Sequence, residues 1–471
     1  MNYFKYLVIG TAAAALSLSA VSCGDSGTDE PGSSEITPDW SASEKGDGQK
    51  ITTDEQAKEY LGETAGLVLD KFRPADQKPL AELAVAFARD YEDYTIELGG
   101  STFSGARPRS SRALGGFFAE LRAAAAAGDH SALSRAAGNV ITFGLFTGIY
   151  EPDSHRKVFA RTADSKNLVV RFYRDGAPCE LTVIPSSDTW TFDAHQVSEG
   201  DIDEVKVPRT ITFDLTQGQI KYVNGTLKTN YAEDREMTFA TDVTALNIRA
   251  VSSTEATNSL ISTNDAVYID GTELVNASGK INGKNMVNGA ALENIMDTET
   301  YSWQQWNGYD YVTRYETYYE VNPVKATNMF QSAQTSAKLL GRVNIVAQVP
   351  DSKKFLDIED TWFDSDDYDS DSQARAACQK ACDRLNAAAP AKLFLAGNST
   401  ATASLKWQPR RTEDDYGYGY VYTYWEAEPV LSFADGSTYS FAEYGIADFA
   451  NIENRFISLA RAYEAMFNSL F

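Results

Sequence analysis

Apolar positions at helical spacing mark the beginning and the end of the folded part of the chain. Ala57, Leu61, Val68 and Phe72 lie three or four residues apart or at multiples of that spacing, and Pro74 follows them. This spacing predicts an amphipathic helix that ends before the proline. Three further sets predict helices in the same way: Leu80, Leu83, Phe87 and Tyr91; Leu114, Phe118 and Leu121; and Ile452, Phe456, Leu459, Tyr463, Met466 and Leu470.

Between about residues 155 and 350 the period changes from 3.6 to 2. Leu168, Val170 and Phe172 alternate with more polar neighbours, and Leu246 and Ile248 continue the pattern further along. Such alternation predicts strands of an antiparallel meander with one buried face. Four dipeptides favour tight hairpin turns: Asp175-Gly176, Asp270-Gly271, Asn282-Gly283 and Asn288-Gly289.

The last third of the chain mixes both periods. Cys378, Cys382, Leu385 and Ala389 share one helical face before Pro390, and strand patterns follow. We therefore predict an α+β fold with an N-terminal helical region, a large antiparallel β-meander sheet and a C-terminal strand–helix unit. The predicted boundaries are 51–150 for the helical region, 151–350 for the β-rich domain and 351–471 for the C-terminal α+β unit.

The N-terminus carries an export signal. A basic start with Lys5 precedes an apolar stretch at 6–20, and small residues lead to Cys23. This pattern predicts a signal peptide over residues 1–22. The cysteine after the cut resembles the lipobox of bacterial lipoproteins, which implies lipidation of Cys23 and a membrane partner through the lipid anchor. Ordinary cleavage after Ser22 is the alternative.

Residues 23–50 form a tether of mostly Gly, Ser, Asp, Glu, Pro and Thr, a composition that predicts disorder. Its acidic start at 24–30 resembles the segment that Bacteroidetes lipoproteins carry when they are sent to the outer face of the outer membrane. With the Thr-rich meander and the closing helix, most of the chain resembles uncharacterised exported lipoproteins of this type. The resemblance implies an outer-membrane, surface-facing location, with the periplasmic face as the alternative, and it brings no active site.

The charge of the chain limits its partners. The formal net charge is −24, and removal of Lys5 with the signal makes it −25. Nucleic acids and anionic lipid surfaces require clusters of Lys and Arg, so the acidic balance argues against both. Residues 105–112 hold Arg107, Arg109 and Arg112, either as an anion site or, as we favour, as a solvated loop.

Catalytic residue types are sparse. His130, His155 and His195 are scattered without zinc-ligand spacing, and no nucleophile elbow or phosphate-binding loop is present. A hydrolase that uses a carboxylate pair remains the catalytic alternative. Cys378 and Cys382 could chelate a metal or form a disulfide, but their apolar face favours two thiols packed in a core. We expect no cofactor.

An acidic run precedes the Cys378 helix and supplies oxygen ligands of the kind that Ca²⁺ prefers. It departs from an EF-hand loop, because Ser372 replaces the glycine and Cys378 replaces the bidentate glutamate. A charged loop at a helix N-terminus is therefore favoured over a calcium site. The candidate ligands are Asp364, Asp366, Asp367, Asp369 and Asp371.

Tyrosines supply the best functional candidates. In extended backbone, alternate tyrosines share one side, and such aromatic rows hold sugar rings by apolar stacking. Cross-strand packing is the structural alternative. The candidates are Tyr416, Tyr418, Tyr420, Tyr422 and Tyr424, then Tyr309, Tyr311, Tyr315 and Tyr319 with Trp303 and Trp306 upstream. We therefore expect a non-catalytic envelope lipoprotein that binds a neutral glycan or an envelope protein; a hydrolase or a structural subunit of an envelope complex are the alternatives.

Overall fold

A computed structural model gives the fold. It describes residues 51, 54–98, 101–102, 140–193, 204–232, 235–288, 291, 296–306, 311–322, 325, 329–360, 368, 370–396, 398, 401–415, 421–433, 436–440 and 450–469.

The helices of the described residues lie at the two ends of the chain and in one insertion before the last strands. They are α1 (Asp54–Lys71), α2 (Pro74–Tyr91), α3 (Ser352–Asp360), α4 (Asp371–Ala388) and α5 (Ala450–Asn468), with a 3₁₀ turn at Phe143–Phe146. The predicted break before Pro74 is confirmed, since α1 ends at Lys71. Pro74 then starts α2, where its missing N–H has no partner to lose.

Strands make up most of the remaining described chain, and they begin inside the predicted helical region 51–150. In chain order they are β1 (Thr95–Leu98), β2 (Ser101–Thr102), β3 (Val140–Thr142), β4 (Gly148–Asp153), β5 (Val158–Ala163), β6 (Leu168–Arg174), β7 (Ala177–Pro185), β8 (Thr189–Asp193), β9 (Glu204–Pro208), β10 (Thr210–Gln217), β11 (Ile220–Ala232), β12 (Glu236–Ala245), β13 (Ile248–Thr257), β14 (Leu260–Ile269), β15 (Thr272–Gly283), β16 (Met296–Trp306), β17 (Tyr311–Val321), β18 (Phe330–Leu339), β19 (Val343–Val349), β20 (Ala391–Leu395), β21 (Ala403–Asp415), β22 (Val421–Phe433) and β23 (Thr438–Ser440).

One large mixed sheet contains most of these strands. Its order is β1-β5-β4-β6-β7-β10-β11-β12-β13-β14-β15-β18-β19-β20-β21-β22-β23, and only the pairs β1–β5 and β4–β6 are parallel. A small sheet joins β3, β9 and β8, while β16 and β17, among the described strands, pair only with each other. The predicted α+β fold with a large antiparallel meander is confirmed.

The residues of the tight turns explain why several consecutive strands are neighbours in the sheet. The Asp175-Gly176 and Asp270-Gly271 turns are confirmed, with φ values of 52° and 76° in the first and 50° and 75° in the second. Positive φ at both positions belongs to the type I′ turn, whose twist matches the flanking strands. The Asn282-Gly283 prediction is wrong, because both residues lie in β15. Leu246 was also predicted wrongly as a strand residue: it lies in a turn with φ 55°.

Two hydrophobic clusters hold the helices on the sheet. Leu83 of α2 packs with Tyr150, Phe172 and Leu215 around the β4–β10 region. Tyr60 of α1 packs in a second cluster with residues of β19–β22, among them Val343, Leu395, Leu431 and Phe433.

The side chain of Arg342 also links α1 to the turn between β18 and β19. The Arg342 guanidinium lies 4.2 Å from the Tyr60 ring centroid, and its Nε donates to Thr64 Oγ1 over 3.0 Å. Thr64 is fully buried, and its hydroxyl also donates to the Tyr60 carbonyl over 2.7 Å, so both of its hydrogen-bonding roles are filled.

The sheet continues across residue 350, where the predicted C-terminal unit begins. Residue pairs from Val343–Leu395 to Ala347–Ala391 join β19 to β20. Helix α5 packs on α1 and α2, and Arg455 Nη2 donates to the Gly66 carbonyl over 3.2 Å and to the Asp70 carboxylate. The two ends of the described chain therefore meet on one side of the fold.

Candidate functional site

The β16–β17 pair, here called the aromatic hairpin, stands apart from the large sheet. It is inserted between β15 and β18, and its eleven residue pairs run from Met296–Val321 to Trp306–Tyr311. Residues 296–321 contain eight aromatic side chains in 26 positions. A two-stranded ribbon alone in water is only marginally stable. The persistence of this ribbon outside the large sheet, and its many aromatic residues, therefore need an explanation.

A small methionine-lined cluster anchors the base of the hairpin. Met286 and Met329 are both 4% exposed, and Lys284 N donates to the Met329 carbonyl over 2.8 Å. Gly283 N donates to Ser259 O over 3.1 Å. The first bond joins the two connections of the hairpin to each other, and the second joins the end of β15 to the turn between β13 and β14. The apolar residues packed on this cluster are Ile261, Ile281, Ala291 and Phe330.

Large side chains near the far end of the hairpin are exposed. Tyr301 is 55% exposed, Trp303 44% and Tyr311 64%, and the residues at 300–304 and 311–313 are all exposed. Consecutive strand residues point to opposite faces. Both faces of the hairpin are therefore open to solvent in this part, which is unusual for rings of this size.

The strand register divides the predicted aromatic set between two faces. Trp303 pairs with Arg314, and Trp306 pairs with Tyr311, so the positions of the two tryptophans lie on opposite faces. Tyr311, Tyr315 and Tyr319 share the face of Trp306 through their spacing of four. Tyr309 lies outside the described residues.

Tyr301 is a candidate that the sequence reasoning missed. It lies two residues before Trp303 in β16 and therefore shares its face. The sequence signal that could have found it is its distance of two residues from Trp303, the period of a strand. Together they form a short row of exposed rings along β16, here called the Tyr301–Trp303 row.

Polar groups on the face of the hairpin that carries Tyr311, opposite to the Tyr301–Trp303 row, are suited to neutral hydroxyls. Gln304 Nε2 donates to Thr313 Oγ1 over 2.9 Å, in an exposed cross-strand pair. Arg314 is the one basic residue of 296–321, against five acidic residues: Asp297, Glu299, Asp310, Glu316 and Glu320. This excess of negative charge disfavours an anionic ligand.

The other tyrosine segment is packed rather than exposed where it is described. Tyr416, Tyr418 and Tyr420 lie outside the described residues. Tyr422 and Tyr424 lie in β22 as half-buried side chains. Their ring centroids are 5.5 Å apart at an interplanar angle of 27°. The two rings thus share a face, as predicted, but they contact each other.

Asp371, the described member of the acidic run, has protein partners. It follows the N-cap Ser370 of α4, accepts a hydrogen bond from Trp425 Nε1 over 2.9 Å, and lies 3.5 Å from Arg411 Nε. This is the helix N-terminal role favoured from the sequence. The other candidate calcium ligands, Asp364, Asp366, Asp367 and Asp369, lie outside the described residues. Within the described ranges, no three His, Cys, Asp or Glu side chains are grouped to hold a metal.

The cysteine pair lies in the core. Cys378 and Cys382 of α4 are both fully buried as free thiols, so the packing role favoured from the sequence is confirmed. Burial raises the pKa of Cys378, and burial together with the neighbouring Cys378 raises the pKa of Cys382 to about 12. Thiols this reluctant to ionise are poor nucleophiles and poor metal ligands at neutral pH. Cys23 lies outside the described residues.

The histidines and the arginine loop add no described site. His155 lies exposed in the turn between β4 and β5, where its backbone N donates to Asp153 Oδ1 over 3.0 Å. The remaining candidates from the sequence, His130, His195, Arg107, Arg109 and Arg112, lie outside the described residues.

Comparisons with known proteins give no relative from which a site could be transferred. No protein-family model, curated protein or solved structure matches the chain. None of the helices in the described ranges is long and apolar enough to cross a membrane.

Proposed function

We propose that this protein is a non-catalytic, lipid-anchored binding protein of the cell envelope that holds a neutral glycan on its aromatic hairpin. The observation that carries the proposal is the exposure of Tyr301, Trp303 and Tyr311 on a ribbon with both faces open. Single exposed rings are common on protein surfaces, whereas a cluster of exposed rings marks a binding surface. Three such rings on one hairpin are suited to a ligand that covers them.

Sugar rings are a chemical match for such a surface. A pyranose carries C–H groups on one or both faces, which stack on an aromatic ring, and hydroxyls at its rim, which need hydrogen-bond partners. Trp303 and Tyr301 offer apolar rings on one face of the hairpin, and the Gln304–Thr313 pair offers amide and hydroxyl groups on the other face, beside Tyr311. The acidic hairpin and the net charge of −24 favour a ligand without negative charge.

Cross-strand stabilisation of the hairpin is the competing explanation for the rings. An aromatic pair across two strands contributes about 0.2–1 kcal/mol, which matters for a ribbon outside the large sheet. The two explanations differ in consequence, because a purely structural ring affects the melting temperature, whereas a ligand-holding ring affects retention on a glycan.

The test compares alanine variants of the Tyr301–Trp303 row with an exposed tyrosine elsewhere. We expect Trp303→Ala and Tyr301→Ala each to weaken glycan binding by about five- to thirtyfold, as truncation of a central aromatic residue typically costs about 1–2 kcal/mol. Binding is measured on an array of neutral glycans and the melting temperature by circular dichroism.

Tyr173→Ala is the matched control. Tyr173 is 45% exposed, lies in β6 far from the hairpin in the strand order, and bonds to Tyr91 through its backbone N–H, which the variant keeps. Glycan binding should be unchanged in this variant. Equal loss in all three variants, or loss of melting temperature without loss of binding in the two hairpin variants, would contradict the proposed site.

A further inference from the structure

We infer that the ligand is an extended polysaccharide bound by several consecutive sugars along β16, and not a single sugar or a chain end. This inference rests on the proposed function and specifies its ligand class. It follows from two features of the aromatic hairpin: the exposed rings form a row along one strand, and both residues of the row are open to solvent.

The Tyr301–Trp303 row runs along the axis of strand β16. Tyr301 and Trp303 are two residues apart in β16, so their Cβ atoms project from the same face about 6.6 Å apart along the strand axis. Two rings at this spacing form a flat strip. A strip matches a chain of sugars that lies parallel to the strand, since each ring meets a different part of the chain.

The exposure of the row sets the size of the ligand. Tyr301 is 55% exposed and Trp303 44%, and Val312 of the facing strand, which the register places on the same face, is exposed as well. A site that holds a small molecule normally surrounds it and buries about 70–90% of its surface. A single sugar on this strip would be covered from one side only and would keep most of its hydration.

Consecutive sugars solve this problem because they are linked. The loss of translational and rotational freedom on binding is incurred once for the whole chain. Each further sugar that reaches a ring then adds contact as an intramolecular event. The open strip therefore selects for chain length, whereas a closed pocket would select for the identity of one sugar.

The experiment uses the full-length protein and immobilised neutral linear polysaccharides: cellulose, xylan, mannan and amylose. The polysaccharide that retains the protein is then competed with its own monosaccharide, disaccharide and hexasaccharide. We expect the hexasaccharide to compete at least about tenfold better than the disaccharide, and the monosaccharide to fail. Trp303→Ala should abolish this length dependence, whereas Tyr173→Ala should preserve it.

The outcomes separate the inference from the proposed function. Retention that the monosaccharide reverses as well as the hexasaccharide would overturn the inference and leave glycan binding intact. Length-dependent retention that persists in Trp303→Ala would mean that the polysaccharide binds at another surface of the protein. That result would overturn the inference as well. No retention on any of the four polymers, together with no binding to the glycan array, would overturn both.

Discussion

Cys378 and Cys382 illustrate how burial controls the chemistry of single side chains. One turn apart on α4 and without solvent exposure, each thiol is surrounded by apolar packing that disfavours the charged form. The Cys382 thiol also hydrogen-bonds to Cys378, which raises the pKa of Cys382 further. The spacing that suggested a metal or a disulfide therefore gives two neutral thiols in a core.

The raised pKa of Cys382 predicts a loss of stability at high pH. Below about pH 9 the thiol is protonated in both the folded and the unfolded chain. Between pH 9 and about 12 the unfolded chain loses this proton while the folded chain keeps it, so unfolding becomes more favourable as the pH rises. From pH 8 to pH 10.5 this effect amounts to about 2 kcal/mol.

The measurement is urea unfolding of the wild type and of Cys382→Ala at both pH values. Tyrosine and lysine titrations are common to the two proteins and cancel in the comparison. We expect the stability of Cys382→Ala to fall less between the two pH values. An identical fall in both proteins would mean that the thiol ionises as readily in the folded state as in the unfolded chain.

Among the elements, the packing at the base of the aromatic hairpin requires a glycine, which has no side chain, at position 283. An added Cβ at Gly283 would overlap the Met329 carbonyl oxygen and lie 2.7 Å from Met286 Sδ. Both partners are buried. Lys284 N donates to the Met329 carbonyl over 2.8 Å, and Met286 N donates to the Asn258 carbonyl over 3.3 Å. The close approach of β15 to the returning chain therefore requires glycine.

Gly283→Ala should destabilise the protein by about 1–3 kcal/mol, the usual range for overpacking a buried position. Gly144→Ala is the control, since a Cβ there would lie 3.4 Å from Thr142 Oγ1, an ordinary contact. Thermal melts of both variants give the comparison. If the two melted alike, the base of the hairpin would be more deformable than its packing indicates.

Local chemistry explains which elements could be predicted from the sequence. The period of 3.6 found α1, α2, α4 and α5, since each buries one face, the first three on the sheet and α5 on α1 and α2. Asp270-Gly271 was predicted correctly as a turn, but Asn282-Gly283 has the same chemistry and lies in a strand. There the glycine serves the close approach of Met329, a requirement that comes from a residue 46 positions later and leaves no local signal.

The candidate site was predictable in part for the same reason. Trp303 and Tyr311 could be selected from their alternation within aromatic-rich strands. Their separation onto two faces depends on the register that pairs Trp306 with Tyr311, and register involves a partner strand. Exposure was also not readable, because the alternation in β16 and β17 resembles that of strands within the large sheet.

At the scale of the whole molecule, the proposed lipid anchor on Cys23 would determine where the protein resides. Each buried methylene of an acyl chain contributes about 0.8 kcal/mol, so a diacylglycerol would hold the chain firmly in a membrane. We expect Cys23→Ser to appear in the soluble fraction after cell lysis. Ser26→Ala, in the same tether, should remain in the membrane fraction. Membrane association of Cys23→Ser equal to that of the wild type would contradict lipidation.

The packing of α1 has a consequence for the order of events during synthesis. Tyr60 leaves the ribosome early, but its core partners Leu395, Leu431 and Phe433 are made near the end. The bond from Arg342 to Thr64 spans 278 residues. Helix α1 has 18 residues, and most of the stability of a helix in a protein comes from packing of its apolar face. The first described helix is thus among the last to find its place, and its apolar face needs protection until almost the entire polypeptide exists.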